Sequence, residues 1–294
     1  MRTPLLPTTW STEFFVKPES LQPVGSFKLR GATNAVARLP EADRARGVVT
    51  HSSGNHGQAL AFAARAFGVP CVVVIPEGAP LIKIEAVRGF GAEVVLVPPA
   101  ERETTARAIA EDRGMTLIPP YDHRDIIAGQ GTVGLEIVED LPDVDLVLVP
   151  VGGGGLSSGV STAIKALTPE ATVIGVEPEL AADARASLAA KAVVPWTNEE
   201  RYRTSADGLR TPLSDLTFAH LSARLDGIVT VTEDEIAAAT TALIRGTRLV
   251  VEPSGAVATA ARLFHSGELP SGRTVAVISG GNLDPAVLAA LVAV

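Results

Sequence analysis

The chain has 294 residues, 46% of them hydrophobic and only 4% aromatic, with 25 Lys and Arg against 33 Asp and Glu for a formal charge of −8. That composition belongs to a globular protein with a substantial aliphatic core and excludes a disordered or collagen-like chain. The acidic balance without a basic patch excludes nucleic acid and anionic membrane surfaces as partners, and no apolar run approaches the roughly 18 residues that span a bilayer.

The N-terminus MRTPLLPTTW lacks the sustained apolar stretch of a signal peptide, and the single Cys71 sits inside PCVVVIP as a buried, inert thiol. Both point to a reducing cytoplasm. In PVGSFKLRGATNAV, Lys28 follows a Gly-Ser turn between Phe27 and Leu29. On local grounds it is either a solvated surface lysine or a functional amine. The β-branched run 47–50 then leads into SSGNHGQAL, a junction that opens a helix. Ser52, Ser53, Asn55 and His56 would point donors toward a carboxylate or another anion at that helix start. His56 taken alone reads more readily as a capping or packing residue. Further apolar strands are expected at 71–75 and 93–97.

The strand 145–151 runs directly into Gly152, Gly153, Gly154 and Gly155, with a helix beginning near Leu156. Glycines at a strand-to-helix junction let several N–H groups and a helix N-terminus converge on one phosphate. The dinucleotide fingerprint is not met, because the G-x-G-x-x-G spacing fails although Glu177 lies near the position of its acidic residue, and no P-loop lysine follows. A cofactor with a single phosphate fits better, and a lysine that forms a Schiff base is what anchors pyridoxal phosphate, which raises the functional reading of Lys28. After the strand 172–176 comes GVEPELAADA, which by itself reads as a solvated loop. Beyond the strand 227–231, Thr232 with Glu235 forms a capping box, and Glu252-Pro253-Ser254 marks another helix start. The last strand, 274–278, ends in Ser279, Gly280, Gly281 and Asn282, followed by one short helix from Pro285 to Val294.

Continuous apolar strands alternating with alanine-rich helical segments require parallel sheets covered on both faces, so the class is α/β, doubly wound. Three glycine junctions at strand carboxyl ends define one ligand crevice. No Ser/Gly linker separates two domains, so any second domain is interleaved with the first.

SFKLRGA, HSSGNHGQA, AGQGT at 128–132, GGGGL at 152–156 and SGGN at 279–282, in that order, resemble the pyridoxal-phosphate enzymes of the tryptophan-synthase-β fold (fold type II). More narrowly they resemble its serine/threonine dehydratase and serine racemase branch. The resemblance implies Lys28 as the Schiff-base lysine, Gly152, Gly153, Gly154, Gly155 and Leu156 as the phosphate loop, Phe27 and Asn55 beside the cofactor, and Ser279 at its pyridine nitrogen. It places Ser52, Ser53, Asn55 and His56 around the substrate carboxylate, with Ser53 facing the substrate from the side opposite Lys28. It matches Glu177, the main-chain carbonyl of Ala181 and Asp183 to a divalent-cation site for Mg²⁺, Ca²⁺ or Mn²⁺. The implied reaction is β-elimination of L-threonine and L-serine by a homodimer, with serine racemisation, or dehydration of a related β-hydroxy amino acid such as 3-hydroxyaspartate, as the alternative. Tyr121 stands where the racemases carry asparagine and favours dehydration. The implied architecture is a small domain, 46–124, inserted into a large one made from 1–45 and 125–294. The shortened N-terminal segment and the single helix after SGGN imply neither a nucleotide effector site at the N-terminus nor a regulatory domain.

Overall fold

The computed structural model describes residues 1–52 and 54–292. Among these, the strands in chain order are β1 (Leu6–Pro7), β2 (Phe14–Pro18), β3 (Val48–His51), β4 (Cys71–Pro76), β5 (Glu93–Val97), β6 (Thr116–Leu117), β7 (Leu146–Pro150), β8 (Thr172–Pro178), β9 (Gly227–Val231) and β10 (Thr274–Ile278). The chain divides into two compact units, one of Met1–Phe27 with Gln130–Val294 and the other of Lys28–Gly129.

In the first unit a six-stranded sheet has the order β1-β2-β10-β7-β8-β9. All its pairings are parallel except the short antiparallel β1 edge. The period of two along each strand sends alternate residues to opposite faces. Leu146 and Leu148, Ile174 and Val176, and Ala276 and Ile278 join one core with Ile236, Leu243 and Val257. Val147 and Val149, Val173, and Val275 and Val277 join the other with Val133, Ile137, Val160 and Ile164. Helices therefore cover both faces, which is why these strands read as unbroken apolar runs.

In the second unit the order is β5-β4-β3-β6, all parallel. Val49, Val72, Val74 and Val97 pack with Ala106 and Met115 on one side of it. This unit is wider than the expected 46–124. The helix Lys28–Arg38 packs along the helix Asn55–Phe67 and so belongs with it. At the other end the helix Arg124–Asp140 starts flush against Lys28–Arg38: a Cβ on Gly129 would stand 2.6 Å from the Arg30 carbonyl oxygen. Tight helix packing, not strand spacing, sets both boundaries.

Strand β2 was not foreseen, since its sequence FFVKP carries a lysine and a proline. Lys17 is nevertheless fully buried, because its ammonium pairs with Glu136 at 2.8 Å and donates to the Thr3 carbonyl at 2.7 Å. Among the described residues no helix is long and apolar enough to cross a membrane.

Candidate active site

In the first unit, β7 gives way through Val151 to the glycines, and the helix Gly155–Leu167 begins within them. Gly154 has φ +82°, a conformation that costs about 1–2 kcal/mol for any residue with a Cβ. A Cβ there would also stand 2.8 Å from Thr217 Cβ and 2.9 Å from Leu213 Cδ2. Gly152 is confined in the same way, with Leu209 Cα 2.9 Å from where its Cβ would be. Bare backbone is thus imposed at Gly152 and Gly154, and the first N–H groups of the helix have no intrahelical acceptor, which suits them to an anion.

At the end of β10, Ser279 is buried and its hydroxyl donates to the Ser254 carbonyl at 3.3 Å. Its own carbonyl accepts the Phe27 N–H at 3.0 Å, so the residue before Lys28 is fixed to the strand end that carries this serine. Ser26 bridges to Gly280 beside it.

In the second unit, Lys28 opens its helix half-buried, and its ammonium donates to the Pro120 carbonyl at 2.7 Å. Burial lowers its pKa to about 8. The surface-lysine alternative fails on that placement. The helix Asn55–Phe67 begins directly after Gly54, with Asn55 as its first residue and Gly54 N–H donating to Ser52 Oγ at 3.3 Å. Ser53 lies outside the described residues. His56 is buried, with Nε2 3.0 Å from the Ile118 carbonyl. Burial first, and the nearby Lys28 charge second, lower its pKa to about 3. A neutral ring that donates from Nε2 leaves Nδ1 as an acceptor, and Nδ1 is buried without a partner. The His56 ring therefore has no second N–H for a carboxylate, and the donors at this helix start are its amides and the flanking side chains.

Back in the first unit, Glu177 on β8 and Asp183, the first residue of the helix Asp183–Ala190, are both buried, as is Ala181. The solvated-loop reading of this segment does not hold. Glu177 accepts the N–H of Ala184 at 2.9 Å and of Arg185 at 2.7 Å. Burial nevertheless raises its pKa to about 8, and the Asp183 charge adds to the rise. Asp183 is raised to about 6, mainly by burial and against the pull of Arg201. Among the described residues no three or more His, Cys, Asp or Glu side chains cluster as metal ligands.

Sequence reading missed Ser254, which it treated only as part of a helix start. The local signal, a serine after proline, is common to many helix N-termini, and its partners lie far along the chain.

The family model for pyridoxal-phosphate dependent enzymes matches residues 1–280. The chain is 44% identical over 279 residues to an L-threonine ammonia-lyase of Thermotoga maritima, covering 92% of this chain and 68% of that one. It is 39% identical over 275 residues to an L-threo-3-hydroxyaspartate ammonia-lyase of Saccharomyces cerevisiae, covering 92% and 83%. The solved structure of maize serine racemase superimposes with a TM-score of 0.92 at 37% identity, covering 98% of this chain and 90% of that one.

Proposed function

The chain belongs to the pyridoxal-phosphate dependent enzymes, and on that premise we propose that it is an ammonia-lyase that eliminates water from L-threonine and L-serine to give a 2-oxo acid and ammonia. The observation that carries the reading is Lys28: a half-buried amine at a helix start that donates to the Pro120 carbonyl, with its pKa lowered to about 8 by burial. Such an amine reaches its free-base form near neutral pH, as linkage to an aldehyde and proton movement at the substrate α-carbon both require.

Bound pyridoxal phosphate supplies an electron sink that makes the α-proton of an amino acid acidic. The residues of each unit suit the group: Gly152, Gly153, Gly154, Gly155 and Leu156 would hold the phosphate, and Phe27 and Asn55 would flank the ring. Ser279, whose hydroxyl proton is donated to the Ser254 carbonyl here, would present a neutral hydroxyl and not a carboxylate to the ring nitrogen. Such a partner would leave the sink weaker than a carboxylate does, so that loss of the β-hydroxyl would compete well with transamination. Ser52, Ser53 and Asn55, with the backbone amide of His56, hold the substrate carboxylate at the helix start. After elimination the released enamine tautomerises to the imine, and water adds at its carbon as ammonia leaves, giving the 2-oxo acid.

A 2-oxo acid assay on L-threonine and L-serine, run beside chiral analysis of the recovered serine, tests the reading. Release of 2-oxo acid faster than D-serine supports it. Accumulation of D-serine faster than pyruvate would make the chain a serine racemase, the second reading, which the maize structure favours.

The reading includes a divalent cation held by Glu177, the Ala181 carbonyl and Asp183. Two buried carboxylates, Glu177 and Asp183, suit an oxygen-preferring ion, and the absence of Cys and His from the segment argues against zinc. Chelation should lower the melting temperature and Mg²⁺ should restore it; an Asp183→Ala variant with unchanged metal dependence would remove the ion from the account. A homodimer completes the reading, and a monomer in light scattering would refute that part.

A further inference from the structure

Ser254 is the second residue of the helix Pro253–Phe264 and is 1% exposed. Its hydroxyl accepts the Gly208 N–H at 2.9 Å. Its carbonyl accepts the Ser279 hydroxyl at 3.3 Å. Gly208 and Leu209 belong to the turn Asp207–Leu209, whose backbone lies directly behind the glycine loop: a Cβ on Gly152 would be 2.9 Å from Leu209 Cα and 3.3 Å from the Gly208 oxygen. Just before Ser254, the Glu252 N–H donates to the Gly280 carbonyl at 3.1 Å, tying the helix entry to the SGGN segment. One buried residue is thus bonded through its side chain to the turn that backs the phosphate loop, and through its main chain to the serine at the end of β10.

We propose that Ser254 is a positioning residue for the cofactor, fixing the phosphate loop and Ser279 in one rigid frame. The inference rests on the reading that these two elements hold pyridoxal phosphate. It assigns Ser254 no contact with the cofactor. Its hydroxyl holds the Asp207–Leu209 turn against Gly152, so that the loop amides are preorganised before the phosphate arrives. Preorganisation appears in ligand affinity more than in the stability of the apoprotein.

The test compares wild type with Ser254→Ala and Ser254→Cys as apoproteins. Each is titrated with pyridoxal phosphate, followed by its visible band, and with inorganic phosphate, followed by thermal protection. Removing one net hydrogen bond corresponds to a roughly threefold to tenfold loss of affinity. Ser254→Ala should lose that much for pyridoxal phosphate, and phosphate protection should shrink with it. Ser254→Cys, which keeps the shape with a weak acceptor, should fall between, and it decides the matter if the alanine variant folds poorly. A merely structural role would lower the apoprotein melting temperature and leave both ligand responses intact. Wild-type affinities in both folded variants would overturn the inference. A wild-type protein that shows neither band nor phosphate protection would instead overturn the cofactor reading beneath it.

Discussion

Gly154→Ala tests how tightly the anion cradle is built. The substitution places a Cβ on a residue with φ +82°, at about 1–2 kcal/mol for the left-handed backbone. It also sets that Cβ 2.8 Å from Thr217 Cβ and 2.9 Å from Leu213 Cδ2, two side chains on buried positions that cannot swing into solvent. Overpacking of this kind costs roughly 1–3 kcal/mol. The sum, about 2–5 kcal/mol, corresponds to a fall of roughly 5–15 °C in melting temperature for a unit of this size. Differential scanning calorimetry of the apoprotein measures it. Gly89→Ala is the control, since a Cβ there meets nothing within 4 Å and φ is not left-handed, and it should melt within about 2 °C of wild type. If Gly154→Ala melted within that same margin, the backing of the loop by Leu213 and Thr217 would not be the constraint argued above.

His265 places one ring nitrogen 3.1 Å from Glu235 and the other 3.0 Å from Glu268, which raises its pKa above the ordinary 6.5. The stabilisation is therefore complete below about pH 6.5 and declines as pH rises through the raised value; the melting-temperature gap between wild type and His265→Gln should narrow from pH 6 to 9, and a constant gap would refute the ion-paired assignment. Lys17→Met removes the buried partner of Glu136 and should cost about 3–5 kcal/mol in urea unfolding, whereas a loss under about 1 kcal/mol would mean the pair is solvated. Arg248, an exposed helix cap at φ 63°, should tolerate glycine with a gain of about 0.5–1 kcal/mol, and destabilisation would show that its side chain matters more than its backbone.

What could be read from the sequence was what local chemistry writes into it. β7, β8 and β10 are unbroken aliphatic runs because both faces of their sheet are covered, and Thr232 with Glu235 does form the capping box its spacing suggests. The glycines at 152–155 stood out because glycine in that number has few other uses. Lys17 was illegible, since its burial depends on Glu136 from a distant helix. The acidic Glu177 and Asp183 resembled a surface loop, because composition cannot show that backbone amides reach one of them. Ser254 was hidden for the same reason, its partners lying 46 and 25 positions away. Likewise the edge of the second unit could not be placed at Lys28, because the packing of that helix on Asn55–Phe67 leaves no mark in either segment alone.

The central claim is that Lys28 carries the cofactor. Protein loaded with pyridoxal phosphate, reduced with borohydride and digested should show, by mass spectrometry, the phosphopyridoxyl adduct on the peptide containing Lys28, and Lys28→Ala should show none. An adduct on Lys17, Lys83, Lys165 or Lys191 instead, or no adduct on a protein that binds the cofactor, would contradict the account.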